Sequence, residues 1–223
     1  MEMQEYGDAS SQIVLIQMAD DHDLEGIERE IAAIRAINNA GFLLRVFRVN
    51  RWNEDLSPWN APAVFGKDDF GSGAENTLAE VLKSCEDRSR HYIIGGYSLA
   101  GLFALWSAYQ TDVFAGVAAA SPSVWFPGFT DYMKAHELRT GQVYLSLGDK
   151  EAKTRNPVMA TVADRIREAY ELIRSQNRPC TLEWNPGNHF KEPELRMAKG
   201  FAWSLTSCGF LTESSMENKI KDL

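Results

Sequence analysis

A lone serine, Ser98, stands among small residues in the stretch HYIIGGYSLAGLFALW, residues 91–106. An apolar run ends in Gly95 and Gly96, the hydroxyl follows at Tyr97's heel, and a second apolar run of helical character begins at once. A serine hydroxyl becomes a nucleophile only with a base in hydrogen-bond reach, itself oriented by a third group. His189, in WNPGNHF, is the best-placed base, because a Pro/Gly turn leaves its ring free to project. His22 and His136 lie in polar surroundings, and His91 opens a strand at the wrong end. Asp149 and Glu151, in LSLGDKE, are the candidate acids. Serine, acid and histidine in that chain order make one of the arrangements in which such a set occurs.

Two other machines use a strand–glycine–helix joint, and both fail on residues. A phosphate loop requires G-x-x-x-x-G-K-[ST]. Gly96 and Gly101 have that spacing, but Leu102 stands where the lysine must be. A dinucleotide site requires G-x-G-x-x-G, and Tyr97 stands where the second glycine must be. A nucleophile elbow fits better: Gly96, Ser98 and Ala100 give G-x-S-x-A, with Gly101 following. The Leu99 N–H, at the start of the following helix, is then an oxyanion donor. A helix cap is the plainer role for Ser98, since serine is a favoured N-cap.

The elements that must position these groups alternate along the chain. Apolar runs at 13–18, 42–49, 91–97, 114–121, 142–147 and 180–184 predict six strands. Helical periodicity predicts helices over 24–38, capped by Asp23, over 75–84, over 99–110 and over 194–207. Asn156 as cap and Pro157 at the first position predict one more, with Val158, Val162, Ile166, Ala169 and Ile173 marking one face. Such alternation implies a mostly parallel sheet covered by helices on both faces, one α/β domain over 12–208. Residues 1–11 read as a polar segment before it and 209–223 as a polar tail. Ligand sites in such sheets lie beyond the carboxyl ends of the strands, where Ser98, GDKE and GNHF should converge.

The whole chain narrows the class further. Its 223 residues can bury one substantial core, and a net charge of −8 argues against binding nucleic acid through phosphates. No apolar run reaches bilayer length, and the N-terminus MEMQEYGDASSQ is unlike a signal peptide. Cys85, Cys180 and Cys208 are scattered and odd in number, as expected of reduced thiols in a cytoplasmic protein.

GGYSLAGLFALW, VYLSLGDKE and PGNHF together resemble an esterase branch of the α/β hydrolases that includes the enterochelin esterases and S-formylglutathione hydrolase. The similarity runs from about residue 12 to 207. It departs from the branch in Ala100, where a glycine is usual, and in the missing strands before IVLIQM. The resemblance implies a trimmed hydrolase fold with the six strands ordered 2-1-3-4-5-6. It also implies cleavage of a small-molecule ester or thioester through an acyl-serine, with no cofactor and no metal. The branch places its acid three residues beyond the glycine, which favours Glu151 over Asp149. Acyl transfer on the same residues, or a binding module on a hydrolase scaffold, are the alternatives.

Around the site, the loop after the first strand should give the second oxyanion donor, at Met18 or Ala19. Its MADDHDLEG has no histidine–glycine oxyanion motif. Asp20, Asp21, His22 and Asp23 could ligate a metal, but capping and charge–dipole stabilisation of the next helix is the reading adopted here. The loop 50–74 is longer than a connector requires. Its Trp52, Trp59 and Phe65, with Trp125 beyond the fourth strand, are expected to wall a modest pocket; a cover over the sheet edge is the alternative for the loop.

Overall fold

The computed structural model describes residues 1–208. The elements run β1 (Glu2–Gly7), β2 (Ile13–Ala19), α1 (Asp21–Leu24), α2 (Ile27–Ile37), β3 (Leu43–Arg48), α3 (Trp52–Asp55), α4 (Ala74–Lys83) and β4 (His91–Tyr97). They continue through α5 (Ser98–Gln110), β5 (Phe114–Ala120), α6 (Phe129–Ala135), β6 (Gln142–Gly148), α7 (Val162–Ser175), β7 (Cys180–Asn185) and α8 (Pro193–Ser207). One seven-stranded sheet has the order β1-β3-β2-β4-β5-β6-β7, parallel except for β1. The six strands expected from sequence are β2 to β7, in the expected order. The proposed C-terminal tail lies outside the described residues.

The polar segment before the first apolar run is where the structure differs. Glu2–Gly7 adds an antiparallel edge strand to β3, with Glu2 opposite Arg48 and Glu5 opposite Arg45. Both carboxylates reach their opposite guanidinium, at 3.4 and 2.8 Å. An edge strand faces water, so it carries charge instead of the apolar run that marks a central strand. Its hydrophobic signal is therefore too weak to read.

Alternation along β2 shows how the sheet sorts its two faces. Val14, Ile16 and Met18 join the core beneath α4 to α7, whereas Ile13, Leu15 and Ala19 join the core beneath α2 and α8. α5 is buried on nearly every side, from Leu99 to Tyr109, because it packs centrally against β4 and β5. Between β2 and β4 the direction of strand addition reverses, which opens the crevice where ligands bind in such sheets.

Two predicted caps move. Asp20, not Asp23, caps α1 by accepting from the Asp23 N–H at 2.8 Å, and Asp23 returns the bond to the Asp20 N–H at 3.3 Å. α2 begins only after Gly26, so the expected single helix is broken into two. Asn156 accepts from the Val158 and Met159 amides, yet a short 3-10 turn, Met159–Thr161, intervenes before α7 starts. α6, which lacks a long apolar period, was not anticipated; it begins at Gly128 in the left-handed region, φ 80°.

Candidate active site

The β4–α5 joint is tight, and its residues are small because backbone fills the space. A Cβ on Gly96 would lie 2.4 Å from the Ala100 carbonyl, and one on Gly101 would lie 2.9 Å from the Gly96 oxygen. Ser98 sits at φ 57°, a conformation costing a side-chain-bearing residue about 1–3 kcal/mol. Such strain lifts the hydroxyl off the end of the sheet, as an elbow must. The cap position of α5 falls on Tyr97, and Ser98, the first residue of the helix, turns its hydroxyl to His189, so the cap role does not account for it.

His189 meets it from the turn after β7. Its Nε2 lies 3.0 Å from Ser98 Oγ, and its Nδ1 lies 2.7 Å from Glu151 Oε2. With Nδ1 protonated towards the carboxylate, Nε2 is free to accept the serine proton. Glu151, just past β6, is the acid in contact. Asp149 instead accepts from the Gly187 N–H at 2.7 Å and ties the β6 loop to the histidine turn. His22 and His136 are exposed, and His91 lies at the far end of β4.

The Glu151 carboxylate is nearly sealed, its side chain 4% exposed. Burial alone would raise its pKa. The hydrogen bond and charge of His189, with the Ser121 hydroxyl and Gly148 N–H at 2.7 Å each, outweigh that and hold it below the ordinary value. Arg196 Nη1 approaches the same oxygen at 2.8 Å. Gly148 is required here: a Cβ on it would meet Arg196 Nη1 and Glu151 Oε1, each at 2.9 Å. Tyr97 donates to the His189 carbonyl at 2.6 Å, and burial pushes its phenol up to about 12. It therefore stays a donor at neutral pH.

Backbone directions refine the oxyanion expectation. Leu99 is the second residue of α5, where an N–H has no intrahelical acceptor. Ala19 accepts from the Val49 N–H, so its backbone groups face β3, away from Ser98. In a strand, alternate residues face opposite neighbours, so Met18 faces the β4 side, while the Asp20 N–H, beyond the strand, donates to the Asp23 carboxylate. The paired register there ends at Gln17 and Gly95.

A cavity of about 330 Å³ opens beside Ser98 and His189, lined by Trp52, Phe65, Trp125, Met159, Val162 and Phe190, with Glu151 behind. Its wall is overwhelmingly apolar and, among the described residues, contains no lysine or arginine. Three of the four expected aromatics reach it. Trp59 does not: its indole donates to the Pro127 carbonyl at 2.9 Å, and it packs on Phe126, Phe129 and Tyr132. Trp59 buttresses the β5–α6 connection. Loop 50–74 thus both covers and lines.

Sequence reasoning missed Phe190, Ser121, Tyr97 and Arg196. Phe190, 85% exposed and directly after His189, shows as an apolar residue in a polar turn. Arg196 heads the helical row Arg196, Gly200, Ser204, buried throughout, and a cation there is out of place. The Asp20–Asp23 carboxylates engage one another's amides in the capping box, and among the described residues no three ligating side chains are gathered for a metal.

No protein-family model matches the sequence, and no curated protein matches it. Solved structures do. An IroE-like serine hydrolase from Shewanella oneidensis superposes with TM-score 0.71 at 13% identity, over 90% of this chain and 74% of its own. The siderophore hydrolase EstA from Aspergillus nidulans gives 0.65 at 18%, over 92% and 86%. The enterobactin esterase FES from Shigella flexneri gives 0.63 at 12%, over 92% of this chain but 55% of its own. The shared fold is that of serine hydrolases and esterases.

Proposed function

We propose that this chain is a serine hydrolase that cleaves a carboxylic ester through an acyl-serine intermediate. The observation that carries the reading is the continuous line Ser98 Oγ, His189, Glu151, at 3.0 and 2.7 Å. Ser98 attacks the ester carbonyl while His189 Nε2 takes its proton. Collapse of the tetrahedral adduct expels the alkoxide, which leaves as the alcohol with that proton. Water then attacks the acyl-serine by the same route in reverse and releases the acid. Glu151 holds the ring in the tautomer that presents a bare Nε2 and stabilises the imidazolium formed on the way. The Leu99 N–H, at the start of α5, is one oxyanion donor.

The pocket argues for an uncharged, apolar acyl or aryl group. Burial of aromatic and aliphatic surface is what its walls offer, at about 25 cal/mol per Å². An anionic substrate would find no cation among the described residues that line the pocket. The neighbours named for siderophores do not extend that substrate to this site.

An activated alkyl phosphonate tests the reading. One adduct should appear by intact mass, on Ser98, and disappear in Ser98→Ala. That variant should lose ester turnover by several orders of magnitude. A neutral p-nitrophenyl acyl series should be turned over with preference for apolar chains. Undiminished labelling of Ser98→Ala would exclude the assignment.

A further inference from the structure

Arg196 is the largest fully buried side chain in the described protein, 2% exposed, and it is cationic. It sits in the first turns of α8, where the helix dipole disfavours positive charge. Neither the helix nor the core explains it. Its contacts do. Nη1 reaches Glu151 Oε1 at 2.8 Å, and Tyr97 Oη and Ser121 Oγ at 3.1 Å each. Nη2 donates to the carbonyls of Asn188 at 2.9 Å and Pro186 at 3.3 Å. One planar fork therefore touches the ends of β4, β5, β6 and β7, and its contacts to Glu151, Asn188 and Pro186 fix the acid and the histidine turn together.

We propose that Arg196 is a positioning residue for the reaction: it clamps the Glu151 carboxylate and the backbone carrying His189 into one rigid unit. The inference rests on the acyl-serine reading above. Glu151 has two oxygens and two tasks. Arg196, Ser121 and the Gly148 N–H converge on Oε1, leaving Oε2 for His189. Fixing the Asn188 carbonyl, one residue away, sets where the imidazole hangs. The Tyr97 hydroxyl, which accepts from Arg196 and donates to the His189 carbonyl, closes the loop. Lysine cannot copy this, since a point charge reaches the carboxylate or the carbonyls but not both in plane.

The charge adds a second consequence. Glu151 shares a 2.7 Å hydrogen bond with His189 through one oxygen and meets the fixed charge of Arg196 at the other. That cation opposes protonation of the carboxylate. Of the groups facing Glu151, Arg196 carries the fixed charge, His189 is the base, and Tyr97 and Ser121 contribute hydroxyls. Without the guanidinium, the acid limb of the rate profile must move to higher pH.

Three variants test it: Arg196→Met, Arg196→Lys and Arg196→Met with Glu151→Gln, with folding checked by circular dichroism. Arg196→Met should lower kcat about 10²-fold with KM little changed, the cost typical of a small misplacement. Its acid limb should rise by about one pH unit or more. Arg196→Lys should return most of the limb and only part of kcat. In the Glu151→Gln background, Arg196→Met should cost little more, because both act through the same carboxylate. A folded Arg196→Met with wild-type kcat and an unmoved limb overturns the proposal, as do fully additive losses. If Arg196→Met fails to fold, Arg196→Lys decides, and wild-type kcat in it overturns the clamp. Wild-type protein that neither labels with phosphonate nor turns over esters would instead sink the acyl-serine reading itself.

Discussion

Replacing Glu151 by glutamine separates the two carboxylates of the GDKE loop most sharply. Glu151 Oε1 accepts from Arg196, Ser121 and Gly148, and Oε2 accepts from His189. All four partners are donors. An amide offers one oxygen and one NH₂, so one side must place donor against donor. If the NH₂ turns to His189, the ring loses the acceptor that fixes its tautomer, and turnover should fall about 10⁴-fold. In either orientation the neutral amide leaves the buried guanidinium without its counter-charge, at about 3–5 kcal/mol. Both turnover and melting temperature should therefore drop, although a view of Glu151 as a site residue alone expects stability to hold. Asp149→Asn keeps the Oδ1 acceptor for the Gly187 N–H, so it should cost at most about 1 kcal/mol and leave kcat within a few-fold. Steady-state hydrolysis of a p-nitrophenyl ester, with calorimetric melting of the same samples, reads both quantities. A 10⁴-fold loss in Asp149→Asn, with Glu151→Gln retaining activity, would refute the reasoning.

Phe65→Ala and Trp125→Ala should reorder acyl-chain preference in kcat/KM, whereas Trp59→Ala should mainly lower the melting temperature; identical substrate rankings in all three would make the pocket wall incidental. Glu30, on the buried face of α2 with its Oε2 accepting from Gln17, has its pKa pushed up to about 8, chiefly by burial. Its folded value lies above the unfolded one, so ionisation of the unfolded chain costs the fold stability as pH rises from about 4.5 to 8. Glu30→Gln should then stabilise by up to a few kcal/mol at pH 8 and by almost nothing below pH 4, and an equal gain at both pH values would contradict the burial argument. Prolonged chelation should leave ester turnover intact, because the DDHD carboxylates already satisfy the amides of the capping box; loss of activity restored by one metal ion would reverse that expectation.

How much was legible in the sequence followed from how local each signal is. Ser98 shows because the elbow writes its steric demands into adjacent positions: Gly96 and Gly101 must be small where backbone passes at 2.4–2.9 Å of an added Cβ. The central strands show because burial on both faces demands unbroken apolar runs, as in IVLIQMA. β1 is hidden because an edge strand answers to water and to its partner, here through Glu2 with Arg48 and Glu5 with Arg45. Trp59 and Trp125 look alike in sequence, and only the Pro127 carbonyl turns the first into a strut. Arg196 is out of place on its helix face, but its role is hidden for a related reason: its five acceptors lie on Tyr97, Ser121, Glu151, Pro186 and Asn188, up to 99 positions away. No period or motif records a contact of that range.

The site's two strained serines fit one scheme. Ser98 and Ser121 follow neighbouring parallel strands, β4 and β5, and both lie in the left-handed region, at φ 57° and 45°. Strain of about 1–3 kcal/mol at each persists only where surrounding contacts over-determine it. They do so here. The Ser123 N–H donates to the Ser98 carbonyl, the Ser121 N–H to the Ser146 carbonyl on β6, and the Ser121 hydroxyl to Glu151. The turn that throws Ser98 forward is thus braced by the segment after β5, whose first residue is bent to serve the acid. A bond to an ionised carboxylate contributes roughly 1.5–3 kcal/mol, enough to offset the strain at Ser121. Charge on Glu151 therefore helps hold the backbone that presents the nucleophile, so acid, clamp and elbow are stabilised as one unit and not as three separate features.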